Sequence, residues 1–177
     1  MSTEPGTPAP SAPHLSPHAP WWKGARGEWY VVAQVVIFGL IALGPRYARG
    51  LPVWSGPLAS GADVVGVALI VIGAALAIAG VAALGRNLTA LPYPKDDSVL
   101  VESGPYEIVR NPIYSGLIIG ALGLALAAHS WLSLLYALAL LVLFDVKTRK
   151  EEHWLLERYP AYAEYRQRVK KLLPWVW

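Results

Sequence analysis

The sequence contains no cysteine, which excludes disulfide bonds, thiol nucleophiles and cysteine-ligated metals. Its four histidines do not have the spacing of a metal-binding motif, and we predict no metal site. It has no glycine-rich dinucleotide fingerprint. Charged residues make up only 15% of the chain, and the net charge is +3. Because its basic residues are not interleaved with aromatic ones along a polar face, we expect no nucleic-acid partner.

Apolar residues are in excess. They make up 55% of the 177 residues and are clustered in long runs. A soluble domain of this size would bury such a surplus only with difficulty. We therefore predict an all-α integral membrane protein that forms one compact domain. The alanine-rich composition favours a bacterial source and hence the inner membrane.

The first residues differ in composition from the rest. Residues 1–20 hold six of the 15 prolines and show no apolar periodicity. We predict a disordered, proline-rich tail over 1–27, followed by the membrane domain over 28–177. No apolar stretch directly follows Met1, so we predict no cleaved secretory signal.

The apolar runs predict four transmembrane spans, at about 29–44, 62–84, 113–128 and 131–146. The last two come from one uncharged run of about 32 residues, which as a single helix would be about 48 Å long. That is too long for one crossing of a bilayer core about 30 Å thick, and too short for two full crossings and a turn. We therefore predict a tight helical hairpin that turns near His129 and Ser130.

Glycines recur at positions that suit close helix packing. Gly66, Gly73 and Gly80 are seven residues apart and fall near one helix face. Gly116 and Gly120 form a second small-residue pair. Both sets predict faces where another helix approaches closely.

The C-terminal part predicts two amphipathic helices, at about 147–158 and 161–172, separated by Pro160. Four spans would place both termini on one side with 13 of the 15 basic residues, leaving only Arg46 and Arg49 opposite. By the positive-inside rule the termini are predicted to be cytoplasmic. The hairpin would bring both charged ends of its run to this face, where we predict a composite site.

The second half of the chain contains a series of short motifs in a fixed order. They are Leu100-Val101-x-Ser103-Gly104-x-Tyr106, Arg110-Asn111-Pro112-x-Tyr114-x-Gly116, Glu151-Glu152-x-x-Leu155, Tyr162-x-x-Tyr165 and Pro174. In this order they resemble the motifs of the isoprenylcysteine carboxyl methyltransferase family, and phospholipid N-methyltransferases share much of the pattern. The resemblance covers about residues 85–177.

The resemblance implies a membrane-embedded enzyme that uses S-adenosylmethionine and has no Rossmann domain. It also implies which residues hold the cofactor: Ser98, Val99, Leu100, Val101, Tyr106, Asn111, Pro112, Ile113, Tyr114, Glu151 and Glu152. One position departs from the family pattern, because Asn111 stands where the family usually has histidine. Asparagine donates and accepts hydrogen bonds but cannot become cationic.

The charged residues near the motifs favour a carboxylate as the methyl acceptor. A carboxylate is already ionised near pH 7, so it needs a cationic clamp rather than a base. Arg149, Arg110 and Lys147 are the candidates. An amine acceptor would need deprotonation, and His153 is the one histidine near this region. The expected partners are a lipophilic or lipid-like substrate entering from the bilayer, and the membrane lipids.

Simpler interpretations remain for these residues. Arg110 and Arg149 are also placed to anchor helix ends at lipid headgroups, with Arg149 pairing with Asp145 four residues before it. Glu151 and Glu152 are also compatible with ordinary surface charges, with Lys147 and Glu151 forming an i,i+4 pair. The alternatives for the whole chain are a phospholipid N-methyltransferase, a non-catalytic protein that keeps the fold, and a relative of the sterol reductases.

Overall fold

The computed structural model describes residues 27–47, 50–52, 54–91 and 99–172. In these residues it is all-helical, as predicted, with one isolated bridge and no strand. Two short 3-10 turns, Gly85–Asn87 and Gly104–Glu107, flank the connection after the second helix. The predicted disordered tail, apart from Gly27, lies outside the described residues. The α-helices are α1 Glu28–Leu43, α2 Gly56–Leu84, α3 Pro112–Ala127, α4 Trp131–Arg158 and α5 Tyr162–Arg168.

The second helix begins six residues earlier than predicted. We expected it at about 62, after a proline- and glycine-rich connection, but α2 begins at Gly56. Pro57 lies in its first turn, where the fixed proline φ suits a helix and the missing N–H costs no hydrogen bond. The proline interpreted as part of a loop therefore starts the helix.

Glycines allow α2 and α3 to pack with their backbones in close contact. A Cβ added to Gly66 would lie 2.8 Å from the Gly123 carbonyl oxygen, and one on Gly73 would lie 2.5 Å from that of Gly116. The predicted packing face is confirmed, because no larger side chain fits there. On α3, a Cβ on Gly116 or Gly123 would likewise meet the backbone of α2. The Gly120 backbone nitrogen would lie 2.6 Å from a Cβ on Gly73, although a Cβ on Gly120 itself would meet nothing within 4 Å.

The opposite face of α2 is apolar and exposed. Val64, Val71 and Ile78 follow the same seven-residue spacing and are 73%, 62% and 68% exposed. Such a surface is unfavourable in water and is typical of a helix in contact with lipid. By length and composition, two helical stretches are able to cross a membrane, Gly56–Asn87 and Trp131–Arg158. The helices α1 and α3 are also apolar but have 16 residues each.

The predicted break after residue 146 is absent. We expected a span ending at 146 and a separate helix over 147–158, but α4 is continuous through both. Asp145 and Arg149 form a 2.7 Å ion pair across one turn, as predicted, at the point where the apolar sequence becomes charged. The helix ends at Arg158, just before Pro160, as expected.

The last helix is shorter than predicted, because residues after Arg168 pair with the segment before α3. Val109 and Lys170 form a parallel bridge, and the Arg110 N–H donates to the Lys170 carbonyl at 2.8 Å. We call residues 169–172 the C-terminal strap. Ser115 donates a 2.6 Å hydrogen bond to the Leu172 carbonyl, which fastens the strap to the first turn of α3.

The helical hairpin turns at residues 128–130, where the sequence analysis expected it. His129 has a positive φ of 49°, a conformation in which histidine is enriched. Its ring nitrogen lies 3.0 Å from an Asp63 carboxylate oxygen on α2. On the other side of the hairpin, Phe38 of α1 packs edge-on against Phe144 of α4 at 6.5 Å. The hairpin is thereby held between α2 and α1.

Candidate active site

A cavity of about 510 Å³ lies at the end of the bundle opposite the hairpin turn. Its walls come from α1, the end of α2 with residues 87–91, residues 99–101, the start of α3, the middle of α4 and α5. No element alone provides more than part of this lining. The hairpin brings these elements together by returning the chain to one face.

Tyr114 and Glu151 connect α3 with α4 across the cavity. The Tyr114 hydroxyl donates a 2.7 Å hydrogen bond to Glu151 Oε1. The Tyr114 ring stacks on Phe144 with 4.4 Å between centroids and 17° between planes. The stacking fixes the ring, and the ring fixes one carboxylate oxygen of Glu151. The other oxygen keeps its capacity to accept hydrogen bonds from a ligand.

Lys147 is a buried ammonium group in the same cavity. It is 1% exposed, and its Nζ donates to the Gln34 side-chain oxygen at 3.0 Å and the Ala90 carbonyl at 2.9 Å. Its Nζ also lies 4.9 Å from the centre of the Tyr114 ring, within cation–π range. No carboxylate oxygen within the described ranges lies within 4 Å of this Nζ. Lys147 is therefore a buried cation whose hydrogen-bond partners are neutral, while the Glu151 carboxylate, one helical turn further along α4, acts on it from beyond ion-pair distance.

Arg110 is largely occupied by the protein itself. Its Nε and Nη2 donate to Glu152 Oε1 at 3.0 and 2.8 Å, and this pair is 7% and 8% exposed. Its Nη1 donates to the carbonyl oxygens of Arg166 and Val169, the last of which begins the strap. Four of the five guanidinium donors are thus used, although Arg110 lines part of the cavity. This arrangement holds α3, α4 and α5 together.

Tyr106 and Tyr165 form a buried aromatic wall. The Tyr165 hydroxyl donates a 2.7 Å hydrogen bond to the Tyr106 carbonyl. Burial, and then the negative charge of Glu151, raises the pKa of Tyr106 to about 12. Burial also raises the pKa of Tyr165 well above its usual range. Both phenols therefore stay neutral near pH 7 and offer an aromatic surface with polar edges.

Most of the predicted site residues lie together in this cavity. It is lined by Val99, Leu100, Val101, Tyr106, Arg110, Asn111, Ile113, Tyr114, Lys147 and Glu151. Pro112 and Glu152 lie beside it and are not among its lining residues, and Ser98 is outside the described residues. Arg149 does not line it either. Its side chain is 68% exposed and pairs with Asp145, so the geometry does not support an acceptor clamp there.

Part of the lining was not predicted from the sequence. Gln34 and residues 87–91 belong to the site, and Tyr159, Tyr162 and Tyr165 line it as well. For Gln34 a signal was available, because it is the one amide in a helix that is otherwise apolar from Val31 to Leu43. A polar side chain in an apolar span is expected to face a partner or a cavity. For the backbone of 87–91 no sequence signal existed.

The fold and the cavity together define the class of protein. It is a bundle of apolar helices with a pocket that holds polar and charged side chains where the helix ends meet. The model of the phospholipid methyltransferase family matches residues 62–162, which run from α2 into α5. The chain belongs to this family, which the isoprenylcysteine motifs had indicated. The helix α1 lies outside the matched residues.

Curated relatives fall into two groups. The chain is 29% identical over 152 residues to the cobalt-zinc-cadmium resistance protein CzcN of Cupriavidus metallidurans, covering 84% of this chain and 62% of that protein. It is 30% identical over 115 residues to protein-S-isoprenylcysteine O-methyltransferase B of Arabidopsis thaliana, covering 63% of this chain and 58% of the other. The corresponding Saccharomyces cerevisiae enzyme is also 30% identical, over 117 residues, covering 64% of this chain and 49% of that enzyme. The chain thus spans about half to three fifths of the length of these relatives.

Proposed function

We propose that this chain transfers a methyl group from S-adenosylmethionine to a carboxylate on a lipophilic acceptor at the cytoplasmic face of a membrane. One observation carries the proposal. The motif residues Tyr114 and Glu151 share a cavity with Lys147, a buried cation that forms no ion pair within 4 Å among the described residues, although the Glu151 carboxylate acts on it from further away. Such a cavity has separate groups for a cationic cofactor and an anionic acceptor.

The residues present fit the cofactor. Glu151 has an oxygen able to accept hydrogen bonds from an amine or from ribose hydroxyls, and Tyr106 and Tyr114 offer aromatic faces to adenine or to a sulfonium. Residues 99–101 and Ile113 supply the apolar part of the wall. The cofactor supplies an activated methyl group, and the chain's residues bind and orient it and exclude water. Methyl transfer depends mainly on such positioning.

Lys147 is the residue we assign to the acceptor carboxylate. An ammonium group has three N–H donors, and the two hydrogen bonds to Gln34 and Ala90 leave one. Binding an anion there would pair a buried charge, and charge-assisted hydrogen bonds are the stronger ones. The carboxylate would attack without losing a proton, since it is ionised near pH 7.

A second, apolar cavity supports a lipophilic acceptor. Its volume is about 250 Å³, and it lies between α1, α2, α3 and α4, with walls that include Phe38, Ile70 and Leu140. Leu117 lines both cavities. An alkyl or isoprenoid tail placed there would keep its carboxylate near Lys147. Gly120 borders this space, and a Cβ added to it would meet nothing within 4 Å.

The membrane arrangement is part of the proposal. At 1.5 Å per residue, α1 and α3 are each about 24 Å long, shorter than an average bilayer core of about 30 Å. We propose that both nevertheless cross, giving four spans with cytoplasmic termini. Local thinning of the bilayer accommodates short helices at modest cost. The distribution of basic residues, 13 against two, supports this orientation.

The test is methyl transfer by detergent-purified protein with methyl-labelled S-adenosylmethionine. N-acetyl-S-farnesylcysteine serves as the carboxylate acceptor and phosphatidylethanolamine as the amine acceptor. We expect label in the farnesylcysteine product, released as methanol by mild alkali because a methyl ester hydrolyses. Alkali-stable label in phosphatidylethanolamine alone would show the N-methyltransferase instead, the second candidate favoured by the matched family model. Failure to bind S-adenosylhomocysteine at all would show a non-catalytic protein, as the Asn111 departure allows.

A further inference from the structure

One side chain reaches the cavity from outside the residues that the family model matches. Gln34 lies on α1, whereas the match begins at residue 62. Between Val31 and Leu43 it is the only side chain of α1 able to form a strong hydrogen bond. Gln34 is half-buried, and an amide taken out of water in an apolar helix is costly unless it is hydrogen-bonded. Its partner therefore explains why it is there.

The register of α1 directs Gln34 toward α4. Ile37, Phe38 and Ile41 follow it at three, four and seven residues, and all three pack on the core formed with Leu140 and Phe144. Gln34 continues this face by one turn toward the cavity. It lines the cavity and accepts the 3.0 Å hydrogen bond from Lys147 Nζ.

Gln34 is a neutral hydrogen-bond partner of Lys147, so it does not change the net charge of the site. A carboxylate at position 34 would form an ion pair with Lys147 and satisfy its charge inside the protein. The amide and the Ala90 carbonyl fix the position of the ammonium group and add no negative charge, while Glu151, the carboxylate that acts on it electrostatically, stays beyond ion-pair distance. A buried cation held in this way favours an anionic ligand, because the ligand supplies the missing countercharge.

We infer that Gln34 is a positioning residue that sets the selectivity of this site for an anionic acceptor, by holding the Lys147 ammonium group in the cavity without neutralising it. The inference rests on the proposed function for the role of Lys147. Helix α1, which lies outside the residues that the family model matches, then determines whether the site prefers an anionic or a neutral acceptor. The hydrogen bonds around Glu151 and Tyr106, in the cofactor half of the site, do not involve Gln34.

The experiment compares two substitutions with a neighbour. Gln34→Glu places a carboxylate beside Lys147, and Gln34→Met keeps the length of the side chain while removing the acceptor oxygen. Val35→Ala is the control, because Val35 is 63% exposed on the lipid side of α1. Binding of N-acetyl-S-farnesylcysteine and of its uncharged amide is measured by calorimetry without cofactor, beside binding of S-adenosylhomocysteine. The kcat and the KM for each substrate are measured in the methyl-transfer assay.

We expect Gln34→Glu to abolish the preference for acid over amide and to raise the acceptor KM about tenfold or more, as loss of a charge-assisted interaction implies. Gln34→Met should raise the acceptor KM by a smaller factor. In both variants the affinity for S-adenosylhomocysteine and the kcat change little, which a general loss of folding would not produce. Equal acid preference in wild type and Gln34→Glu overturns the inference, as does a parallel loss of cofactor affinity. A wild type that prefers the acid but does not methylate it refutes the proposed reaction and leaves the anion site standing.

Discussion

The Tyr114 hydroxyl donates a 2.7 Å hydrogen bond to Glu151 Oε1 across 37 residues of chain. The two side chains come from the first turn of α3 and from the charged part of α4. Because the hairpin between them returns the chain to one face, two motifs that are distant in sequence form one wall. The first prediction tests this wall.

Glu151→Gln keeps the size of the side chain and removes its charge. If Glu151 accepts hydrogen bonds from the cofactor, the change weakens binding by about 1.5–3 kcal/mol, or about ten- to a hundredfold in affinity. Calorimetry with S-adenosylhomocysteine measures this. Lys150→Gln, at the neighbouring exposed position, is the control and is expected to bind like the wild type. Equal affinities for wild type and Glu151→Gln would remove this residue from the site.

Arg110→Gln is expected to destabilise the protein by about 3–5 kcal/mol, because Glu152 would remain buried without its main partner. Arg168→Gln is the matched control. Arg168 also pairs with a carboxylate, Glu102, but the two side chains are 60% and 32% exposed, so we expect less than about 1 kcal/mol. Reversible unfolding in mixed detergent measures both. Similar losses for the two arginines would contradict the structural role given to Arg110.

Gly73→Ala is expected to cost about 1–3 kcal/mol of stability, because the new Cβ would lie 2.5 Å from the Gly116 carbonyl oxygen and force α2 and α3 apart. Gly61→Ala in the same helix meets nothing within 4 Å, and it should be neutral or stabilising, since alanine favours helix by up to about 1 kcal/mol. Thermal unfolding of the two variants under one condition compares them. If Gly73→Ala had the same thermal stability as the wild type, the two helices would not be packed as described.

Alkaline pH is expected to destabilise the fold partly through Tyr106. Its pKa is raised to about 12, while an unfolded tyrosine has a pKa near 10. Between these values the unfolded chain loses the proton and the folded chain keeps it, so stability is full below about pH 10 and falls as the pH rises toward 12. Tyr106→Phe should reduce this loss of folding stability by about 2–3 kcal/mol at most. Tyr47→Phe, at a 76% exposed position, should leave the loss unchanged. Melting curves from pH 8 to 12 give the comparison, and identical curves for wild type and Tyr106→Phe would refute it.

The topology is testable because the chain has no cysteine of its own. Single cysteines at Ser55 and Ser98 are labelled in intact cells with an impermeant thiol reagent. We expect labelling at Ser55, between the first two spans, and none at Ser98, on the cytoplasmic side. The reverse pattern would overturn the orientation inferred from the basic residues.

The sequence predicted much of the fold because its signals are local. Apolar runs indicated the helices, the seven-residue glycine spacing indicated the α2–α3 contact, and Pro160 marked the end of α4. Predicted helix boundaries were wrong where the same residue type occurs both inside a helix and in a connection. Pro57 was interpreted as part of a loop but starts a helix, and the charged residues after Asp145 were interpreted as a new helix although they continue α4.

The sequence by itself determined the helical class, the family and most motif residues of the candidate site, since order along the chain is enough to recognise them. Only the tertiary structure decided what each cation contacts. Arg110, Lys147 and Arg149 were equivalent candidates in sequence, but Arg110 pairs with Glu152 and Arg149 points outward to Asp145. Lys147 lies in the cavity and forms no ion pair among the described residues. The physical reason is distance along the chain. Gln34 lies 113 residues before Lys147, and no local pattern encodes a contact that forms only when α1 packs on α4.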